Sequence, residues 1–468
     1  MIVLKKQSNR VAKIILSERK KIMKNKLIRL ASLLIAIFML ACFVGCSGGS
    51  NDGSVSMSQG AGEEGGDTPD QIRIQQQIKT IAEDVTVLTP GSIESVPCQM
   101  YTQRYEQLTG GKKVTFVSSN GYSEMQMKLV SMHMSDEAPD VYEFTNQDFP
   151  SLLYKNILAP LDDIFDLNDP IFADEKPYIE GLRWDGKCYL IPNIGADSDL
   201  WVNAQILRDA GIPENEWPNA QYKAGTWTWD AFFDIVKRVS NPENGVYGSI
   251  YDINLHFAFP ASAGVDFIKL TDSGFVGNAK DPNVTRAMTM YKQIYTNPNY
   301  VPVKSSESPM ELFKRGKVCM WYAHRSNTSD DLIGEQHDEG DVFFTAFPRD
   351  PKVKEHYRVG TIEGKAIPAT AKHKNGAMAY ILSFFASDFY QDQIDALDKE
   401  NYNWNEEIFT YMEEDLLKRP AVVCFSLGFK ELQDTLGKAC FTTIFEKDWA
   451  TIANSFDPEA QQIIDTQK

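Results

Sequence analysis

Residues 184–211 read WDGKCYLIPNIGADSDLWVNAQILRDAG. Two short apolar runs, Cys188–Pro192 and Leu200–Val202, predict buried strands, and the second runs directly into a helix. Between them, Asn193, Asp197, Ser198 and Asp199 follow neither a helical nor a strand period. A polar break between two buried strands predicts a crossing from one lobe to another, with those polar groups facing water or lining a cleft. The same stretch overlaps Gly181–Cys188, GLRWDGKC, which is one residue from the phosphate-cradling pattern G-x-x-x-x-G-K-[ST]. That loop needs a preceding strand, a following helix and a hydroxyl for magnesium. Here a helical pattern precedes, a strand follows and Cys188 replaces the hydroxyl, so phosphate binding is not expected.

Working toward the N-terminus, Asp84–Leu88, Lys113–Val117 and Asp140–Phe144 read as strands, and Glu94–Leu108 and Ser123–Met134 as helices. This βαβαβ unit implies an α/β class with a mostly parallel sheet whose loops at the strand C-termini face a ligand. Toward the C-terminus, Thr226–Ser240 predicts a helix with Thr228 as N-cap, Asp230 in the first turn and Phe232, Phe233, Val236 and Val239 as its apolar stripe. On this reading Trp229 is core, and Trp227, just outside the helix, is free to reach a cleft. Asp281–Tyr295 and Ser308–Lys314 are further helices, the latter ending at Gly316 in a left-handed position before a buried strand.

The first 45 residues hold ten Lys or Arg against one acidic residue and lead into the uncharged run Leu30–Val44. That run is short for a membrane-spanning helix, which needs about 18–20 residues, and fits the core of an export signal. It ends in Phe43-Val44-Gly45-Cys46, which resembles a bacterial lipobox with Cys46 as the lipid-modified residue. Ser47–Asp70 is rich in Gly, Ser, Asp and Glu, a tether with a reach of roughly 25–30 Å. Removing the signal takes the net charge from −17 to about −26. A chain this acidic, without a basic stripe, is not a nucleic-acid binder. The roughly 400 residues that follow suffice for two lobes.

Catalytic and metal patterns are weak in the sequence. Six His form no H-E-x-x-H and seven Cys form no C-x-x-C. Cys188 and Cys319, inside apolar strands, read as small core residues. No cofactor is expected, and binding rather than reaction is the expected chemistry.

Several segments together carry a family resemblance. Gly186, Lys187, Tyr189 and Pro192 followed by Asn203, Ala210, Gly211 and Ile212 resemble the "G-K-x-Y-x-x-P … Y-N-K-x-x-x-x-x-A-G-I" segment of bacterial extracellular solute-binding proteins of family 1, the receptors of ABC importers. So do APDVYEF at 138–144, ILAPLDD at 157–163, TWDAF at 228–232, and FKRGKVCM at 313–320. The last departs from the family pattern, with His324 and Ser326 where Gly and Trp are usual. Gly360–Ser387 resembles the return segment to the first lobe, with Glu363 at the second crossing opposite Asn193.

The resemblance implies a two-lobed periplasmic-binding-protein type II fold. Its expected divisions are a signal at 1–45, a tether at 46–75, a first lobe at 76–193 and 361–415, a second lobe at 194–360, and C-terminal helices at 416–468 packing on the second lobe. It implies an extracellular, lipid-anchored monomer that captures a carbohydrate, expected to be an oligosaccharide, and delivers it to ABC permease subunits; a polyamine or iron complex is the alternative solute, and an extracellular carbohydrate hydrolase is the further alternative, favoured less. By family analogy the ligand-facing residues are Phe144, Asn146, Gln147, Asp148, Asn193, Asp197, Trp201, Trp321, His324, Arg325 and Glu363. On side-chain type alone, Phe144 in the core and Asp148 capping the next helix fit equally well.

Overall fold

Alternation of buried β-branched and aromatic strands with amphipathic helices produces the expected βαβαβ unit. The computed structural model describes residues 67–91, 96–145, 148–195, 198–250, 255–297, 308–324, 341–387, 406–416, 418–440 and 444–468. Strands β1 (Val85–Thr89), β2 (Val114–Ser118) and β3 (Val141–Thr145) are parallel, with β1 central. Helices Val96–Thr109 and Tyr122–Met134 connect them. The sheet continues through the antiparallel β11 (Arg358–Ala366), which also pairs with β4 (Ile191–Gly195) and, in parallel, with β12 (Ala421–Val423).

A second sheet has the order β10 (Val342–Thr345), β5 (Ser198–Asn203), β9 (Val318–His324), β6 (Tyr247–Ser249). A hairpin, β7 (Ile268–Thr271) and β8 (Gly274–Gly277), stands apart from both. β5 leads into the helix Ala204–Asp209, whose N-cap Asn203 accepts a hydrogen bond from the Ile206 amide. The helix Trp229–Val239 buries Trp229, Phe232, Ile235, Val236 and Val239, an i, i+3, i+6, i+7, i+10 stripe, against the second sheet's core. Thr228 holds the extended N-cap backbone, but its side chain makes no cap hydrogen bond.

Two expectations about boundaries are corrected. Residues 69–75, read as tether, belong to the helix Pro69–Ile81. Thr68 and Gln71 form a reciprocal capping box, and Ile74 and Ile78 are buried against the helix Lys374–Leu382. The helix Glu406–Tyr411, assigned to the first lobe, packs on β10 of the second sheet, with the Tyr411 ring edge-on to Phe344 at 5.6 Å.

The glycine-lysine pair of the phosphate-loop look-alike lies in a two-residue hairpin. The amides of Trp184 and Lys187 donate to each other's carbonyls at 2.9 and 3.0 Å, and Asp185 and Gly186 both have positive φ. This is the Asp-Gly turn geometry that the local sequence favours. Strand β4 starts later than Cys188, because the Cys188 amide donates to the Asp162 carboxylate at 2.7 Å instead of to a strand neighbour.

Candidate functional site

The crossing between the sheets is where the sequence-derived residues meet. β4 ends at Gly195 in the first sheet and β5 begins at Ser198 in the second. β11 lies between β3 and β4, so Glu363 is register partner to both Thr145 and Asn193. This is the Glu363–Asn193 juxtaposition expected from the sequence. On the second sheet His324, exposed at the end of β9, is partner to Ser198. Asn146, Gln147, Asp197 and Arg325 lie outside the described residues, as does Cys46. In the chain, however, they directly follow Thr145, separate β4 from β5, and follow His324.

Close backbone approach fixes this crossing. A Cβ at Gly364 would run into the Ile191 carbonyl oxygen of β4, so only glycine fits between β3 and β4 at that position. Strand alternation sorts the side chains onto two faces. Thr145, Glu143, Asn193, Glu363 and Lys365 share one face, and Tyr142, Phe144, Pro192 and Ile362 share the other. The apolar face continues through Phe149, Phe275 and Phe425, with ring centroids 5.5–5.9 Å apart, into the cluster that holds the second sheet's core.

The polar face borders a cavity of about 190 Å³ lined by Tyr101, Arg104, Glu175, Asn193, Lys365 and Phe384, among others. An engineered 150 Å³ cavity holds benzene, so this one has room for about one small ring. The Lys365 ammonium lies 3.8 Å from the Phe384 ring centroid. Burial pushes its pKa down, while Glu143 and Glu363 pull it back up. The Glu175 carboxyl is pushed up to about 7 by burial, with Asp174 adding to the rise. Glu143 accepts a 2.6 Å hydrogen bond from Thr89. The Asn193 amide is exposed and has no hydrogen-bond partner among the described residues. Amide, carboxylates and ammonium beside aromatic rings can bind hydroxyl groups. Among the described residues no group of three or more His, Cys, Asp or Glu could hold a metal ion.

Four expected ligand contacts are core residues instead. Phe144 is buried edge-on against Phe149. Asp148 is fully buried at the N-cap position of the helix Phe149–Tyr154, but its side chain turns back to accept from the Thr145 amide and hydroxyl at 3.0 and 2.9 Å. Burial raises its pKa to about 6, opposed by those hydrogen bonds. Trp201 and Trp321 are register partners on neighbouring central strands, and both are buried, the first against Phe344 and the second against Phe313. With polypeptide on both faces of the sheet, neither ring is available to stack on a solute. Trp227 is also core, its indole donating to the Ala346 carbonyl at 2.7 Å. Trp184 is half-buried and stacked on Phe275 at 5.3 Å.

A polar network at the start of β5 was missed in the sequence. Asp199 is ion-paired with Arg419 and accepts from the Tyr411 hydroxyl at 2.8 Å and the Phe347 amide at 2.6 Å. Both charged groups are buried, and the guanidinium carbon is 5.9 and 6.0 Å from the centroids of the Tyr222 and Tyr411 rings. Tyr411 and Arg419 lie more than 200 positions from Asp199, and no local pattern announces such a pairing. The five cysteines among the described residues, including Cys188 and Cys319, are buried free thiols.

The chain belongs to the bacterial extracellular solute-binding protein family, whose model matches residues 100–397. It is 26% identical over 202 residues to the diacetylchitobiose-binding protein DasA of Streptomyces coelicolor, covering 42% of this chain and 44% of that protein. The match thus spans less than half the length of that curated relative. Similar solved structures include the sugar-binding protein MalE of Xanthomonas citri (TM-score 0.64, 15% identity, 82% of this chain and 98% of that one). Another is an extracellular solute-binding protein of Staphylococcus aureus in complex with maltose (TM-score 0.63, 16% identity, 82% and 98%). The fold is therefore the two-lobed periplasmic-binding-protein type II fold.

Proposed function

We propose that this protein is the lipid-anchored receptor of an ABC importer, capturing a carbohydrate between its lobes and delivering it to the membrane permease without chemical change. The observation that carries the reading is the convergence of strand ends at the crossing, where register puts Thr145, Glu363 and Asn193 side by side and His324 against Ser198. A cleft at this point is bordered by both sheets, so a solute touching both favours the closed state. Carboxylate, amide and imidazole groups suit paired recognition of sugar hydroxyls. The diacetylchitobiose-binding, sugar-binding and maltose-bound relatives support the same solute class.

On this reading the first lobe comprises residues from Pro69 to Asn193 with the return segment after Gly360. The second comprises the chain between them together with the C-terminal helices. Asn146, Gln147, Asn193, Asp197, His324, Arg325 and Glu363 are the proposed contacts, and Cys46 is the proposed anchor.

Titration calorimetry with maltose, maltotetraose and diacetylchitobiose tests the reading. Binding of one of them, weakened about tenfold by Glu363→Gln or Asn193→Ala through loss of a hydrogen bond, supports it. Unchanged affinity in both variants removes those residues from the site.

A further inference from the structure

We propose that the sugar this protein captures is an acidic one, a uronic acid or a saccharide ending in one, whose carboxylate enters the cavity beside the crossing and meets Lys365 and Arg104 there. The inference rests on the receptor reading and adds the chemical class of the solute. Asn193 joins the two places, since it is exposed at the crossing and also lines the cavity.

The charges of the lining carry the argument. It holds two cations, Arg104 from the helix Val96–Thr109 and Lys365 from β11, against the single carboxyl of Glu175. Arg104 is 3% exposed and donates to the Ser387 carbonyl at 2.9 Å, a bond that leaves its charge in place. Lys365 is half-buried over the Phe384 ring and makes no hydrogen bond or ion pair among the described residues. An ammonium drawn out of water without a partner is costly, and a charge-assisted bond to a ligand carboxylate relieves the cost. Glu175, held up to about 7 by burial, is about half protonated at neutral pH, so it repels an anion less than an ordinary glutamate does.

Glu143 and Glu363 share the strand face of Lys365 but lie outside the lining, and neither forms an ion pair with it. Glu143 accepts from the Thr89 hydroxyl instead. Both oppose the loss of the ammonium's proton that burial favours, so they keep Lys365 cationic. The acidic surface of the chain repels an anion only at long range, where salt screens charges beyond about 8 Å.

Size and polarity narrow the class further. With about 190 Å³, against the 150 Å³ that holds benzene, the cavity admits one ring and leaves any further sugar at the crossing. Tyr101 and Phe384, edge-on at 4.7 Å, give that ring an apolar wall. The Asn193 amide and the Glu175 carboxyl supply donors and acceptors for hydroxyls, which an aromatic acid would leave unmet.

Titration calorimetry on the whole mature protein at neutral pH compares D-galacturonate with D-galactose, D-glucuronate with D-glucose, and digalacturonate with benzoate. At least one uronate should bind at least tenfold more tightly than its neutral counterpart and than benzoate, the size expected of a hydrogen bond between charged groups. Lys365→Met keeps the stem over Phe384 and should bring the ratio of uronate to neutral affinity close to one. Lys365→Arg keeps the charge and should keep the preference, which separates loss of charge from damage to the fold. The proposal is overturned if no uronate binds, if the neutral sugar or benzoate binds as tightly, or if the preference survives Lys365→Met. Binding of neutral sugars alone would leave the receptor reading standing; binding of spermidine or ferric citrate with no sugar of either kind would remove the carbohydrate reading as well.

Discussion

Replacing Asp199 by Asn should cost this protein about 3–5 kcal/mol, because it leaves the Arg419 guanidinium buried without its counter-charge. The magnitude follows from the site. Both side chains are almost wholly inaccessible, and Asp199 receives three donors: Arg419, the Tyr411 hydroxyl and the Phe347 amide. Asn keeps an acceptor for the Phe347 amide, so the loss reports mainly on the unpaired cation. The other carboxylate near Arg419, Asp415 at 3.4 Å, is partly exposed and compensates poorly. Urea denaturation of the wild type, Asp199→Asn, Arg419→Met and the double variant completes a mutant cycle. Each single change should destabilise strongly. The double variant should recover much of the loss, since a buried ion pair exchanged for neutral groups is often close to neutral in stability. A single-variant loss below about 1 kcal/mol, the size typical of an exposed pair, would refute the claim that the charges are desolvated.

Three further outcomes follow from the same physical arguments. Asp148 has a folded-state pKa of about 6, above its ordinary value, so the stability it lends is fully present below about pH 4 and is lost as pH rises through 6. Asp148→Asn should thus gain about 1–3 kcal/mol on the wild type between pH 4 and pH 7.5, and a gap that does not move with pH in denaturation curves would contradict this. Trp201→Ala and Trp321→Ala should each cost about 3–5 kcal/mol with no solute present, as expected for truncating a packed indole; normal stability with lost binding would restore them as stacking platforms. Cys46→Ala should abolish incorporation of radiolabelled palmitate and leave the protein unprocessed or released, whereas normal labelling would move the lipid site to the other cysteine of the leader, Cys42, which follows Met39-Leu40-Ala41.

The fold was legible where local signals were strong. Period-2 and period-3.6 patterns over 84–144 gave every element of the first βαβαβ unit to within a residue or two. Only the family resemblance points to the Glu363–Asn193 pairing, since no local rule joins positions 170 residues apart. The errors have one cause in common: a side chain's type does not reveal what covers it. Trp201 and Trp321 have the chemistry of sugar platforms, but they sit on the two central strands of a sheet covered on both faces. Asp148 has the chemistry of a helix cap, but its side chain takes the half-buried Thr145 hydroxyl and amide as partners instead. The Thr68–Gln71 capping box is present in the sequence, but the Gly-, Ser- and acid-rich stretch directly before it makes the segment read as tether. The Asp199–Arg419 network depends wholly on long-range packing.

A thermal-shift screen tests the central claim, that the crossing holds a carbohydrate, most directly. The screen sets mono- and oligosaccharides, including maltose, maltotetraose and diacetylchitobiose, against spermidine and ferric citrate. A solute that binds only the folded state stabilises it by about 2.7 kcal/mol at a hundredfold excess over its dissociation constant, an easily seen shift. The account predicts that at least one carbohydrate raises the melting temperature, and that Glu363→Gln removes most of the rise. A rise with spermidine or ferric citrate and with none of the sugars would contradict it.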